Sequence, residues 1–63
     1  MDKLILDAMP EGYATYQIKG TMTVAELRDF LEDYDDETPV YLSFDNGFTY
    51  GGITESNFEL EED

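Results

Sequence analysis

The sequence predicts a small α+β domain in which one amphipathic helix packs on a mainly antiparallel sheet. The predicted order is β-β-α-β-β, with an optional fifth strand at the end. Three observations lead to this fold class: a capped segment with helical periodicity, several short segments of alternating polarity, and an Asn-Gly pair between two of those segments. Because 63 residues are too few for two hydrophobic cores, we expect residues 1–63 to form a single domain.

The helix is predicted between Met22 and Tyr34. Thr23 is placed to accept a hydrogen bond in the first helical turn, and Glu26 is placed to reach back to the Thr23 amide, which together form a capping box. At about 100° per residue, one face of the helix is apolar and the other is acidic. The apolar positions are Val24, Leu27, Phe30, Leu31 and Tyr34, and the acidic positions are Glu26, Asp29, Glu32 and Asp33.

Two strands are predicted before the helix. Residues 3–6 form a short apolar run, and residues 13–18 alternate in polarity. Between them, residues 9–12 read Met-Pro-Glu-Gly, which is typical of a β-turn because proline fixes φ and glycine accepts a positive φ. The alternative for residues 3–6 is a docked arm outside the sheet.

A hairpin is predicted after the helix. Residues 40–45 alternate, and Asn46-Gly47 favours a two-residue type I′ turn, which needs positive φ at both central positions. This turn would pair Asp45 with Phe48, Phe44 with Thr49, and Val40 with Ile53. One sheet face would then be aliphatic and the other would carry an aromatic group made of Tyr41, Phe48 and Tyr50. Residues 57–61 alternate again and supply the optional fifth strand.

The charge balance restricts the partners. Sixteen acidic residues stand against three basic ones, which gives a net charge of −13 and a pI near 4.1. A body with this charge repels phosphate, so we expect no direct binding of nucleic acid. The composition is 41% hydrophobic, which indicates a folded protein rather than an acidic disordered tail.

Catalytic and metal-binding functions find little support in the sequence. The chain has no histidine and no cysteine, so its serines have no imidazole to activate them, and we expect neither an enzyme nor a cofactor. The spacing of Asp33, Asp35 and Glu37 resembles the start of an EF-hand calcium loop. However, Thr38 occupies the position of the loop glycine and Phe44 that of the bidentate acid, so we expect a solvated helix exit and no metal.

No apolar run approaches the roughly 18 residues of a membrane span, and we expect a cytoplasmic protein.

Two groups of residues are candidate binding surfaces. The aromatic group is either a surface for a partner or a second copy, or an ordinary set of strand-forming residues. The second group, here called the acidic segment, combines the acids of the helix with those that follow it: Glu26, Asp29, Glu32, Asp33, Asp35, Asp36 and Glu37. It is a solvated surface, an adaptation to high salt, or a surface that competes with nucleic acid for a basic partner.

A longer pattern runs from the helix cap into the next strand. It reads Thr-Val-Ala-Glu-Leu at residues 23–27, then Leu31 and Tyr34, and finally Pro-Val at residues 39–40. This pattern resembles small bacteriophage and prophage proteins of unassigned function, in which an alternating strand follows Pro-Val. It covers about a third of the chain. Because it consists of capping and core positions, it implies a fold and transfers no functional residue.

The resemblance implies a phage origin. As a class, small and very acidic phage proteins are often inhibitors of host nucleases or other DNA-binding defence proteins, including anti-restriction and anti-CRISPR proteins. We therefore expect a non-catalytic protein that occupies the basic surface of a nucleic-acid-binding host protein in the host cytoplasm. The alternative is a small interaction domain that homodimerises through its aromatic sheet face.

Overall fold

The computed structural model describes residues 2–62, and within them it has one α-helix and a three-stranded sheet. The predicted α+β class is therefore confirmed. In chain order the elements are β1 (Leu4–Asp7), α1 (Val24–Leu31), β2 (Val40–Phe44) and β3 (Thr49–Gly52). Single turns of 3-10 helix lie at Thr15–Gln17, Asp45–Gly47 and Glu55–Asn57. The described residues form two compact units, a sheet unit of residues 2–8 and 39–62 and a helix unit of residues 9–38.

In the sheet unit, β2 is the central strand. It pairs in parallel with β1, where Leu4 lies opposite Val40, and antiparallel with β3, where Phe44 lies opposite Thr49. Parallel neighbours need a long crossover connection, which residues 8–39 provide. The predicted order β-β-α-β-β is therefore wrong: the order is β-α-β-β, and the sheet is mixed rather than mainly antiparallel.

The predicted strand at residues 13–18 is wrong because a glutamine side chain takes its amides. Oε1 of Gln17 accepts hydrogen bonds from the N–H groups of Tyr13 at 2.7 Å and Ala14 at 3.1 Å. Gly12 lies so close to Gln17 that a Cβ built on Gly12 would be 2.9 Å from the Cβ of Gln17. Residues 9–12 form no hydrogen-bonded turn, so the predicted β-turn is also absent. Side-chain acceptors of this kind compete with strand pairing.

The optional fifth strand at residues 57–61 is wrong because its first two amides bond to a 3-10 turn. The N–H groups of Asn57 and Phe58 donate to the carbonyls of Thr54 and Glu55 at 3.0 and 3.1 Å, within and directly after the turn Glu55–Asn57. Residues 58–62 follow without regular structure. The N–H of Thr54, which precedes the predicted strand, donates to Oδ1 of Asn57 at 2.8 Å and closes the same turn.

The predicted hairpin is confirmed in its register and in its turn residues. Asn46 and Gly47 both have positive φ, 58° and 93°, and the N–H of Phe48 donates to the carbonyl of Asp45 at 3.3 Å. Asp45 also has a positive φ of 50°, so β2 ends at Phe44. The predicted Asp45–Phe48 strand pair is therefore wrong, and the ladder stops at Gly52, before the predicted Val40–Ile53 pair.

The predicted capping box at the start of α1 is also confirmed. Oγ1 of Thr23 accepts from the N–H of Glu26 at 3.2 Å, and the N–H of Thr23 donates to Oε1 of Glu26 at 2.9 Å. The helix ends at Leu31, earlier than the apolar pattern indicated. Beyond it, the N–H of Tyr34 still bonds to the carbonyl of Leu31 at 3.1 Å, and the rings of Phe30 and Tyr34 lie 5.4 Å apart.

Burial is slight throughout residues 2–62. No hydrophobic side chain among them is fully buried, whereas Ser43 in the centre of the sheet is only 3% exposed. The apolar residues of α1 remain about two-fifths exposed or more. Packing of α1 on the sheet stays a prediction. Within the described residues, no helix has both the length and the apolar character needed to cross a membrane.

Candidate partner-binding surfaces

All seven residues of the acidic segment are exposed, and they run from the first turn of α1 to the residues that follow the helix. Glu26 and Asp29 lie within the helix. Glu32 is the C-terminal cap, and Asp33, Asp35, Asp36 and Glu37 follow it. Five of the seven carboxylates are therefore at or after the C-terminus of the helix.

The electrostatics of this helix exit are unusual. The C-terminus of a helix carries a partial negative charge of roughly half an elementary charge, so acidic residues there repel it. Arg28 is the basic residue in the last turn of α1, and it stands against five carboxylates. The helix dipole and the five carboxylates thus both contribute to a negative potential at the helix exit. A positively charged partner would be attracted by it and would reduce the repulsion.

Local hydrogen bonds give the exit a defined backbone. Oδ1 of Asp35 accepts from the N–H of Glu37 at 2.9 Å, and the carbonyl of Asp35 accepts from the N–H of Thr38 at 3.0 Å. Together these bonds form an Asx-type turn that ends at Pro39. The turn uses one carboxylate oxygen of Asp35 and leaves Asp36 and Glu37 exposed to solvent.

Glu26 differs from the other six acids because it also stabilises the helix. The N–H of Thr23 bonds to its carboxylate, and this bond, together with that to the Thr23 side chain, lowers the pKa of Glu26 below its ordinary value. Glu26 is therefore ionised at neutral pH and lies in the first turn, where the helix dipole favours a negative charge. A partner that binds the Glu26 carboxylate would therefore compete with the Thr23 N–H for it.

The aromatic group is only partly brought together. Tyr41 and Tyr50 lie on one sheet face, because Ser43 pairs with Tyr50 and shares the face of Tyr41. They are 39% and 62% exposed. Phe48 belongs to the turn instead of a strand and is 85% exposed, so strand alternation does not place it on this face.

Two features of this sheet face were not predicted from the sequence. Because β1 pairs in parallel with β2, Ile5 lies beside Tyr41 and Asp7 beside the buried Ser43. The apolar run of residues 3–6 signalled a strand, but nothing in it indicated which strand it would join. In addition, Tyr50 leans toward the turn, since a Cβ on Gly47 would lie 3.5 Å from its Oη atom.

Among the residues that the structure describes, no three or more acidic side chains are grouped as a metal-binding site would require. No family model matches the sequence, and neither a curated protein nor a solved structure matches it.

Proposed function

We propose that this protein is a non-catalytic, phage-type acidic inhibitor that occupies the basic surface of a nucleic-acid-binding host protein in the host cytoplasm. Such a partner is a nuclease or defence protein of the kind that anti-restriction and anti-CRISPR proteins block. The observation that carries the proposal is the exposed acidic segment, because five of its seven carboxylates lie at or after the C-terminus of α1, where the negative end of the helix dipole adds to their charge.

The charge density of the acidic segment supports mimicry of a nucleic acid. Duplex DNA carries about one negative charge per 1.7 Å of its axis. Along α1, Glu26 and Asp29 are separated by about 4.5 Å of helix rise, which is sparser. The exit supplies five acids within the six residues 32–37, so the negative charge is denser along the chain at the exit than along the helix.

The net charge of −13 supports the same partner class. It excludes phosphate-rich partners by repulsion and attracts surfaces rich in lysine and arginine, with association that is fast and strongly screened by salt. Capture from a bacterial lysate at low salt, with loss at high salt, is the expected first observation.

Competition tests the proposal. The purified protein is titrated into the captured partner already loaded with DNA or guide RNA, and displacement of the nucleic acid is expected. Reversal of Asp29, Glu32 and Asp33 to lysine should weaken this displacement about tenfold or more at low salt, because complementary charges are lost at the contact.

The matched control reverses three acids of the sheet unit, Glu59, Glu61 and Glu62, which changes the net charge by the same amount. This control variant should still displace more nucleic acid from the partner than the helix variant does. Binding of protein and nucleic acid together at one to one, without displacement, would contradict mimicry.

A second candidate function is supported by the sheet. Tyr41 and Tyr50 expose aromatic rings on one face, and exposed aromatic patches often mark association surfaces. The protein would then be a small interaction domain that homodimerises. Changing both tyrosines to serine should lower self-association in sedimentation experiments while leaving the displacement of nucleic acid unchanged.

A further inference from the structure

The hydrogen bonds of β2 determine which backbone groups face the free edges of the sheet. The N–H groups of Leu4 and Ala8 donate to the carbonyls of Pro39 and Ser43, both at 2.9 Å. Backbone groups alternate sides along a strand, so the odd-numbered positions of β2 face β1 and the even-numbered ones face β3. In the register of Phe44 with Thr49, Thr49 and Gly51 then face β2.

It follows that the N–H and C=O groups of Tyr50 and Gly52 point away from the sheet, along the free edge of β3. Within residues 2–62, no hydrogen bond outside the β2–β3 ladder involves either residue. Gly52 is exposed, and a Cβ built on it would meet nothing within 4 Å. This edge is open to a further strand.

Apart from its short length, the edge of β3 lacks the features that usually protect exposed strands. Natural edge strands carry charges, proline or bulges that prevent unwanted pairing. The four residues of β3, Thr-Tyr-Gly-Gly, include no charged residue and no proline. The other edge strand, β1, ends on Asp7 and follows Lys3, so the two edges are not equivalent.

We propose that β3 accepts an extended, lysine- or arginine-rich segment of the partner as a fourth strand. This rests on the proposed function in one respect, that the partner is basic. The occupant follows from charge: a second copy would bring another net charge of −13 to the edge, whereas a basic strand is attracted by it. Asp45 and Glu55 flank β3 in the sequence, and the exposed ring of Tyr50 offers a face for cation–π contact.

Amide hydrogen exchange measured by NMR tests the proposal with a defined probe. The probe is an acetylated and amidated nonapeptide in which lysine and threonine alternate. On its addition, the amides of Tyr50 and Gly52 should become protected, while those of Thr49 and Gly51 already pair with β2. Binding of the peptide without protection of Tyr50 and Gly52, or no binding, would overturn the proposal.

Two substitutions at one position separate edge pairing from general attraction. Gly52→Pro removes an outward N–H that the ladder does not use, and proline is tolerated on edge strands. It should weaken peptide binding about tenfold, whereas Gly52→Ala keeps the N–H and should bind as the wild type does. Equal binding by the two variants would contradict pairing at this edge. If Gly52→Pro fails to fold, the protection of Tyr50 and Gly52 in the wild type decides alone.

Two controls set the limits of the inference. A peptide with glutamate in place of lysine should not bind, and protection of Tyr50 and Gly52 that rises with protein concentration alone would assign the edge to a second copy instead. The outcome is independent of nucleic-acid displacement. Edge pairing can fail while the acidic segment still displaces nucleic acid, and it can succeed where no displacement occurs.

Discussion

The two compact units satisfy their backbone groups over different distances along the chain. In the sheet unit, the N–H of Leu4 bonds to the carbonyl of Pro39, across the whole crossover connection. In the helix unit, Gln17 serves Tyr13 four positions away, and Glu26 serves Thr23 three positions away. Long-range pairing must offset the entropy of closing a long loop, whereas short-range bonds need little ordering. A change in the turn between β2 and β3 should therefore cost more stability than the loss of a single side-chain acceptor such as Gln17 or Glu26.

Substitution of the hairpin glycine should have the largest effect. Gly47 has φ of 93°, a region that a β-branched residue resists. We expect Gly47→Val to lower the free energy of unfolding by about 2 kcal/mol, because the new side chain strains the turn. The midpoint and slope of urea denaturation measure this change.

Gly20→Val is the matched control for that variant. Gly20 has no positive φ, and a Cβ on it meets nothing within 4 Å. Its stability should stay within about 0.5 kcal/mol of the wild type. Equal effects of the two variants would mean that the left-handed turn does not hold the hairpin together.

This contrast also explains how far the sequence predicted the fold. The register of the hairpin, its Asn46-Gly47 turn and the helix cap were predicted correctly, because Asn46-Gly47 and the Thr23–Glu26 pair act on neighbouring residues. The place of β1 was predicted wrongly: a turn was expected to join it to a strand at residues 13–18. Its partner strand lies beyond the helix, and no local signal marks a parallel pair. Residues 13–18 alternate as β2 does, but Gln17 diverts two of their amides.

The candidate surfaces were predictable to a similar degree. Exposure of the acidic segment follows from charge alone, because ionised side chains remain in water unless they are paired. The concentration of five acids at the helix exit depended on where α1 ends, and helix ends are less certain than helix cores. Strand alternation does not place Phe48 on the aromatic face, because Asp45 also has a positive φ and β2 therefore ends at Phe44.

Removal of the helix cap should have the next largest effect. Thr23→Ala deletes the Oγ1 atom that accepts from the N–H of Glu26, and loss of such a cap typically costs about 1 kcal/mol. Thr23→Ser keeps the hydroxyl and is the control. Denaturation followed by circular dichroism should show a lower midpoint for alanine than for serine, and identical midpoints would remove the capping box from the account of α1.

Loss of the Gln17 acceptor should have a smaller and more local effect. Gln17→Ala leaves the amides of Tyr13 and Ala14 without their partner, but both residues can reach water, so we expect a cost of less than about 1 kcal/mol. Amide exchange at these two residues should accelerate, while exchange in β2 stays unchanged. Gln17→Glu keeps an acceptor oxygen and should retain most of the protection. Unchanged exchange in the alanine variant would contradict the assignment of Gln17 as the group that prevents a strand.

The pH dependence of α1 should give the smallest effect. The bond from the Thr23 N–H holds the pKa of Glu26 below its ordinary value of 4.5 in the folded protein. A carboxylate with a lowered folded pKa contributes stability above its unfolded pKa and loses it as the pH falls through the folded pKa. Helix content should therefore decline as the solution is acidified below about pH 4.5, and the Glu26 carboxylate should titrate below that pH when followed by NMR.

In Glu26→Gln the amide oxygen can still accept from Thr23, so this variant keeps the cap but should lose the part of the pH dependence that belongs to residue 26. If the wild type and Glu26→Gln decline identically, the other acids control the response to acid, and the capping box contributes through its hydrogen bonds alone.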